Sequence, residues 1–338
     1  VCSALLTLTL SCGDQSTAPL SDVPAPLDEI VDAAHGGGNL DFFFLPPLVG
    51  DPTGDAAFDA DAFDASLEPV VEICALDVDG CAPTQPDMFP ISYTMSEGPG
   101  SETVRVDPDA ENYIVNWHTD MFALDPDATY RIRVLVAGTE LGHADVDVAE
   151  SGGELRNINT NEDVPLKDGR TLPIKFRIEQ GAVYVVGTDG GTVVAEGGAV
   201  TLLIPPQETP IGITVQPATG YPDTSALVVG TAFDLGPEGT TFDPPGTLTI
   251  WYDPANLPPN TYPRMHHLVD GVWQPVAGST ADRDAHTVSA PVAGFSNWAV
   301  LGTGVVLTVN VFGGLGQVSI PGAKLPDGTE LEPCTYND

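Results

Sequence analysis

Carboxylates are the side chains of this sequence most able to do chemistry, because 48 Asp and Glu residues occur among 338. Two short motifs, Asp77-Val78-Asp79-Gly80 and Asp59-Ala60-Asp61, offer the oxygen ligands that calcium prefers. Neither follows the twelve-residue calcium loop, since Gly80 falls too early and no Glu closes the motif. We therefore predict solvated acidic turns and no cofactor, with calcium as the alternative. A pair of catalytic carboxylates, as in a glycosidase, remains an alternative, because carboxylates are so abundant that the sequence does not identify any particular pair.

The histidines do not have the spacing of a metal site. His266 and His267 are adjacent, and neighbouring residues of a strand face opposite sides of a sheet, which disfavours a shared metal. The others are scattered along the chain at His35, His118, His143 and His286. The sequence also shows no Gly-x-Ser-x-Gly elbow and no phosphate-binding loop. These patterns predict no metal site and no catalytic residue.

Two cysteines flank a short turn-like insert. Cys74 and Cys81 are separated by Ala-Leu-Asp-Val-Asp-Gly, and in an exported protein this spacing predicts a disulfide. A zinc site is the alternative, but a single cysteine pair without a nearby histidine is poor evidence for it. Cys334 has no partner in view.

The opening run, Val1 to Asp14, is short and apolar, as in the apolar region of a signal peptide. Ser11 precedes Cys12 and polar residues follow, which resembles the bacterial lipoprotein signal, in which the cysteine is lipid-modified. Thr9 departs from that pattern, because Leu is usual at its position. Residues 1–12 are thus interpreted as a signal remnant with Cys12 as the lipidation site, and an ordinary cleaved signal is the alternative. Both predict export, either anchored to the bacterial cell envelope or extracellular.

The charge is very uneven. The formal net charge is −37, which excludes ordinary binding to nucleic acid and to anionic lipid, so contact with a membrane is expected only through the lipid anchor. No basic residue precedes Arg105, and residues 13–66 are rich in Asp, Ala, Pro and Gly. We interpret 13–66 as a disordered acidic tether. Phe42-Phe43-Phe44 is too apolar for a linker, and we expect it to add a strand to the next domain or to dock on it.

Residues 67–179 read as a series of short strands with no helical period. The run from Tyr130 to Val136 alternates, so that Tyr130, Ile132, Val134 and Val136 share one face and Arg131 and Arg133 the other. About seven strands in this span predict an immunoglobulin-like β-sandwich. Eight of the eleven basic residues lie between Arg105 and Arg177, and we expect them to pair with carboxylates on strand faces.

A second all-β unit follows over residues 180–302. Its pattern combines Gly190-Gly191-Thr192-Val193, a middle run from Phe233 to Ile250 and a closing run from Val292 to Val300. In order and spacing it resembles the ZU-5 domain of ankyrins and netrin receptors, which also occurs in bacterial surface proteins. The resemblance implies a β-sandwich and protein–protein interaction, as in the binding of spectrin by ankyrin. Residues 303–338 are interpreted as the start of a further β module or as a terminal strand. The predicted fold is therefore all-β, with two β-sandwich domains in tandem.

Some ZU-5 domains of animal signalling proteins cleave themselves at a His-Phe-Ser sequence. The matching residues here are Gly294-Phe295-Ser296, so the nucleophile is present and the histidine base is not. We therefore expect Phe295 to lie in the core and Ser296 to turn a strand. Self-cleavage between Phe295 and Ser296 remains as an alternative function.

The sequence favours a non-catalytic, exported surface protein with a structural, adhesive or protein-interaction role. Its partner is an unknown protein or glycan. One alternative is a carbohydrate-binding module, but all four tryptophans sit in apolar strand patterns and are expected to pack in cores: Trp117, Trp251, Trp273 and Trp298. Another alternative is the subunit of an extracellular filament, in which an apolar strand completes a neighbour's sheet.

Overall fold

The computed structural model describes residues 30–77, 80–82, 89–149, 164–304, 316–318 and 334–336. Over these residues the chain is all-β, as predicted, with mainly antiparallel sheets and no α-helix. The first eleven strands are β1 (Ile30–Val31), β2 (Phe42–Leu45), β3 (Pro69–Asp77), β4 (Gly80–Cys81), β5 (Ile91–Tyr93), β6 (Arg105–Asp107), β7 (Asn112–His118), β8 (Thr129–Val136), β9 (Thr139–Ala149), β10 (Val164–Lys167) and β11 (Thr171–Ile178).

The remaining strands are β12 (Tyr184–Val186), β13 (Gly191–Ala195), β14 (Val200–Ile204), β15 (Ile211–Pro217), β16 (Phe233–Gly236), β17 (Thr241–Trp251), β18 (Thr261–Val269), β19 (Val272–Pro275), β20 (Thr280–Asp282), β21 (Thr287–Gly294), β22 (Asn297–Gly304), β23 (Gly316–Val318) and β24 (Cys334–Tyr336). Short 3-10 turns occur at Pro52–Gly54, Pro99–Ser101, Thr119–Met121, Glu196–Gly198 and Pro254–Asn256. Strands β23 and β24 pair only with each other among the described strands.

The first pair of sheets encloses one core. One sheet has the order β1-β9-β8-β3, with β5 and β4 against β3 and β10 against β9, and the facing sheet has the order β2-β11-β7-β6. Strand β8 alternates as its sequence predicts, with Tyr130 and Ile132 buried and Arg131 facing outward. Arg131 makes two hydrogen bonds of 2.7 Å to the Asp145 carboxylate on β9. Pairing of basic side chains with carboxylates across strands is thus confirmed on this face.

Residues 30–66 differ from the predicted tether. Strand β1 pairs with β9 and β2 pairs with β11, and Phe42, Phe43 and Phe44 are fully buried. Of the two expectations for these phenylalanines, the added strand is the one observed. The tether was predicted from the average composition of 54 positions, which is acidic. A short apolar run within such a segment is enough to form a strand in a sheet, and an average over the segment does not show it. Residues 1–29, including Cys12 and the rest of the predicted tether, lie outside the described residues.

The acidic repeat at residues 57–65 wraps around one arginine of β11. The rings of Phe58 and Phe63 lie 4.9 and 5.3 Å from the Arg177 guanidinium carbon. Arg177 Nη2 donates to the carbonyl oxygens of Asp59 (2.7 Å) and Ala60 (3.1 Å). Its Nε donates to the Glu179 carboxylate at 2.8 Å, and both side chains of this pair are only 2% exposed. A charge this deeply buried is tolerated only because every side of the guanidinium has a partner.

A second buried charge joins β1 to β2. The Asp32 side chain is fully buried and accepts hydrogen bonds from the backbone N–H groups of His35 and Phe44, each at 2.9 Å. The same carboxylate lies 2.7 Å from His35 Nδ1. This hydrogen bond raises the pKa of the His35 imidazole, although burial opposes it.

The raised pKa of His35 predicts a pH-dependent stability. In the unfolded chain the imidazole has its ordinary pKa of about 6.5, so its stabilising effect is complete below that pH and is lost as the pH rises through the folded value. Urea unfolding across about pH 5 to pH 8 should show a larger loss of stability in the wild type than in His35→Gln. His118→Gln, which leaves the Asp32 contact intact, should keep the wild-type profile. Identical profiles for the wild type and His35→Gln would contradict the prediction.

The second pair of sheets encloses a separate core. One sheet has the order β12-β15-β16-β22-β18-β19 and the other β13-β14-β17-β21-β20. Trp298, Phe242 and Met265 lie between them. The connection from β15 to β16 crosses the outer face of the six-stranded sheet and packs small apolar residues, among them Ala218 and Ala232, on Leu301. This sheet is therefore covered on both faces, whereas the other sheet of the pair is not.

Candidate binding surface

The five-stranded sheet β13-β14-β17-β21-β20 turns an unusual face to solvent. Strict alternation buries Val193, Leu202, Leu248, Ile250 and Val288, so the residues between them point outward. We call the outward positions of this sheet the outer sheet face, and on β17 we count only those that follow the register shift between Thr241 and Gly246. The residues of the outer sheet face are Thr192, Val194, Thr201, Leu203, Thr247, Thr249, Trp251, Thr280, Asp282, Thr287, Ser289 and Pro291.

The outer sheet face carries one charge, on Asp282 of the edge strand β20. Six of its twelve residues are threonines, and Thr249 Oγ1 lies 2.8 Å from Ser289 Oγ on the neighbouring strand. Three large apolar side chains are exposed among these hydroxyls: Val194 (57%), Leu203 (53%) and Trp251 (46%). In a chain of net charge −37, an extended face with a single charge is the part of this sheet pair most suited to contact another molecule.

The exposure of Trp251 contradicts the prediction that all four tryptophans pack in cores. Trp117 and Trp298 are buried as predicted, and Trp273 is half-buried with its ring 5.8 Å from the Tyr221 ring. Trp251 instead belongs to the outer sheet face. The sequence pattern around Trp251 could have predicted this exposure. Leu248 and Ile250 are alternate core residues of one strand, and Trp251, which follows Ile250 by one position, must therefore point away from the core.

No family model and no curated protein matches this sequence. The uses of the outer sheet face therefore follow from its geometry and chemistry, and the likeness of residues 180–302 to ZU-5 domains stays a prediction. Among the described residues no helix is long and apolar enough to cross a membrane.

The predicted disulfide between Cys74 and Cys81 is confirmed. The two sulfur atoms are bonded and the Cα atoms lie 5.6 Å apart, at the end of the β3–β4 hairpin. This bond closes a short loop at the edge of the first sheet pair. It has no contact with the outer sheet face, which lies on the second pair.

Where the structure describes the acidic motifs, they do not come together as a metal site. Within the described part of the chain, no group of three or more His, Cys, Asp or Glu side chains is arranged to hold a metal ion. Asp59 and Asp61 form a turn in which the Asp61 N–H donates to Asp59 Oδ1 at 3.0 Å. The second motif is described only in part, because Val78 and Asp79 lie outside the described residues.

The adjacent histidines face opposite sides of β18, as predicted. His267 faces the core, with its ring 5.3 Å from the Trp298 ring. His266 is buried on the other side of the sheet, its Nδ1 lies 3.0 Å from the Arg264 carbonyl oxygen, and burial lowers its pKa. The two imidazoles therefore cannot share a ligand.

The motif matched to self-cleavage lies at the turn between β21 and β22. Phe295 is buried with its ring 5.0 Å from the Phe242 ring, and Ser296 Oγ makes only a long contact of 3.5 Å to the Asn297 carbonyl oxygen. The histidine nearest in sequence, His286, immediately precedes β21, at the end of the strand away from Ser296. A strand of this length separates the two by about 25 Å, so His286 does not reach Ser296.

Proposed function

We propose that this chain is an exported, non-catalytic surface protein with a structural or adhesive role. Export and the lipid anchor at Cys12 rest on the signal-like opening of the sequence, and the interaction role on the likeness to ZU-5 domains. The immunoglobulin-like interpretation of residues 67–179 is consistent with such a role. The observation that carries the proposal is the outer sheet face, which has one charge among twelve residues.

The partner that best suits this face is a second copy of the chain. Two molecules of net charge −37 repel each other wherever carboxylates meet, so they can pack closely only through surfaces that carry almost none. The outer sheet face meets this condition with one charge among twelve residues. Its exposed Leu203 and Trp251 supply apolar area to bury, and its flat array of threonines can lie against an identical array.

Self-association through this face predicts an unusual salt response. Sedimentation velocity of the wild type should show dimers that increase with protein concentration and with added salt, because salt screens the repulsion between the two copies. Leu203→Asp should weaken this dimer at least about tenfold, since it places an unpaired carboxylate in the interface. Val229→Asp is the matched control, because Val229 is exposed and lies outside the face. A chain that stays monomeric at every concentration and salt level would refute the proposal.

Carbohydrate binding is the second candidate, and the exposure of Trp251 favours it. An exposed indole beside threonine hydroxyls offers a stacking surface and hydrogen bonds to a sugar ring. The same variants separate the two functions. A monomeric chain that binds a neutral glycan on an array, and loses that binding in Trp251→Ala, would establish the carbohydrate function in place of self-association.

A further inference from the structure

The residues of the outer sheet face form rows that cross its strands. The middle row, named here the hydroxyl row, runs from β13 to β20 as Val194, Thr201, Thr249, Ser289 and Thr280. The row on one side of it contains Thr192, Leu203, Thr247 and Pro291. The row on the other side contains Trp251, Thr287 and Asp282. Leu203 and Trp251 therefore lie on opposite sides of a band of hydroxyl groups.

Leu203 and Trp251 are placed symmetrically about one point of the hydroxyl row. Leu203 pairs with Thr247 across β14 and β17, and Trp251 follows Thr247 by four residues on β17. With a rise of about 3.4 Å per residue and about 4.8 Å between strands, the Cα atoms of Leu203 and Trp251 are about 14 Å apart. The line that joins them crosses the hydroxyl row midway between Thr201 and Thr249, which pair with each other.

We propose that two copies of the chain pack with Leu203 of each copy against Trp251 of the other, an arrangement that rests on the self-association proposed above. A two-fold axis in the interface, passing through the crossing point and perpendicular to the line between these residues, exchanges them. Leu203 and Trp251 are 53% and 46% exposed in the single chain. Each of these apolar side chains is then buried by the other, and the contact occurs twice in the dimer.

The same axis sets the hydroxyl row against its own copy. Thr201 and Thr249 lie beside the axis, so each faces the same residue of the second copy. A hydroxyl group both donates and accepts, so two such rows can satisfy each other's hydrogen bonds. Val194, at the β13 end of the row, lies about 5 Å from Val194 of the second copy on the same strand spacing. Polar groups therefore meet polar groups, and the third exposed apolar side chain also meets an apolar partner.

The single charge of the outer sheet face stays away from its copy. Asp282 lies at the far end of the Trp251 row, on the edge strand β20. The proposed axis places the two Asp282 residues at opposite corners of the interface, about 20 Å apart. This separation exceeds the screening length of about 8 Å at physiological salt, so their repulsion is weak. The strands of the two copies run antiparallel with a small crossing angle, which is typical of aligned sheet packing.

A two-fold axis parallel to the strands fits the face less well. Through the same crossing point, it would place Leu203 against Thr247 of the second copy. It would also place Trp251 against the end of β14 near Val200, beyond the residues of the outer sheet face. Neither large apolar side chain would then meet an apolar partner. The axis that exchanges Leu203 and Trp251 is therefore the one that the distribution of side chains favours.

Two oppositely charged variants of the full chain test this arrangement in sedimentation velocity. Leu203→Asp and Trp251→Lys should each dimerise at least about tenfold more weakly than the wild type, because each places a charge against an apolar side chain twice. Their equimolar mixture should dimerise at least about tenfold more tightly than either variant alone. In the mixed dimer the two substituted positions form an ion pair, and the second contact keeps its wild-type residues.

Val194→Lys is the matched control for Trp251→Lys. It adds the same charge to the same face, at another exposed apolar residue, but Val194 meets its own copy and not Leu203. A mixture of Leu203→Asp with Val194→Lys should therefore stay as weakly associated as Leu203→Asp alone. All three variants should keep the wild-type thermal unfolding curve, since all three side chains are exposed, so that a weaker dimer is not a loss of fold.

The possible results separate this arrangement from the proposed function. Recovery in the Leu203→Asp and Trp251→Lys mixture alone would support the reciprocal contact. A wild type that dimerises, with recovery in neither mixture or equal recovery in both, would overturn the reciprocal contact and leave self-association through the outer sheet face standing. A wild type that stays monomeric would refute the proposed self-association and this arrangement with it.

Discussion

Replacing Arg177 with methionine is expected to destabilise the first sheet pair by about 3–5 kcal/mol. The substitution leaves the Glu179 carboxylate buried without its cation and removes the donors to the carbonyl oxygens of Asp59 and Ala60. It also frees Phe58 and Phe63 from the guanidinium between them. Urea unfolding followed by the fluorescence of the buried Trp117 would measure the loss.

Two variants control this experiment. Arg105→Met breaks an exposed ion pair with Glu102 and should cost less than about 1 kcal/mol. Adding Glu179→Leu to Arg177→Met should recover part of the lost stability, because the unpaired buried carboxylate is then gone. If Arg177→Met costs no more than Arg105→Met, the segment at residues 57–65 is not held by this arginine.

Truncating Phe44 to alanine should also cost about 3–5 kcal/mol, the usual range for a large aromatic side chain removed from a core. Phe44 is fully buried, its ring lies 5.0 Å from the Phe42 ring, and its backbone pairs with Phe176 of β11. In a segment that served only as a tether, the same substitution would not change the free energy of unfolding. The measured loss therefore decides between a tether and an integral strand.

Leu40→Ala is the matched control for Phe44→Ala. Leu40 belongs to the same segment but is 44% exposed, so its truncation should change the free energy of unfolding by less than about 0.5 kcal/mol. Similar small effects for both variants would mean that β2 does not contribute to the stability of the fold, and the tether interpretation would then be restored.

The sequence predicted the features that depend on near neighbours. Alternation over residues 130–136 identified β8 and the outward direction of Arg131, because a strand repeats every two residues. The spacing of Cys74 and Cys81 identified the disulfide for a similar reason, since a hairpin brings such residues together. Short alternating runs without a helical period were enough to indicate an all-β chain.

Contacts between distant segments could not be predicted in this way. Arg177 meets Asp59 across 118 positions, and nothing in the acidic repeat indicates that a single arginine will be its partner. The contact between β9 and β15 is a similar case, because Thr139 Oγ1 donates to the Gly212 carbonyl oxygen across 73 positions. The outer sheet face could be predicted in part, since the alternation in β14 and β17 shows which of their residues point outward. The register of the five strands, which brings these residues together on one face, could be read only from the structure.

The bond between Cys74 and Cys81 has a consequence for a protein that meets proteases. The residues between these cysteines form a closed covalent ring with the disulfide. A single cut of the backbone inside this ring opens the ring but leaves the two pieces of the chain joined through sulfur. The piece that ends at the cut also keeps β3 paired with β8 and β5. Cleavage at this site can therefore occur without release of either piece, so long as the surroundings stay oxidising.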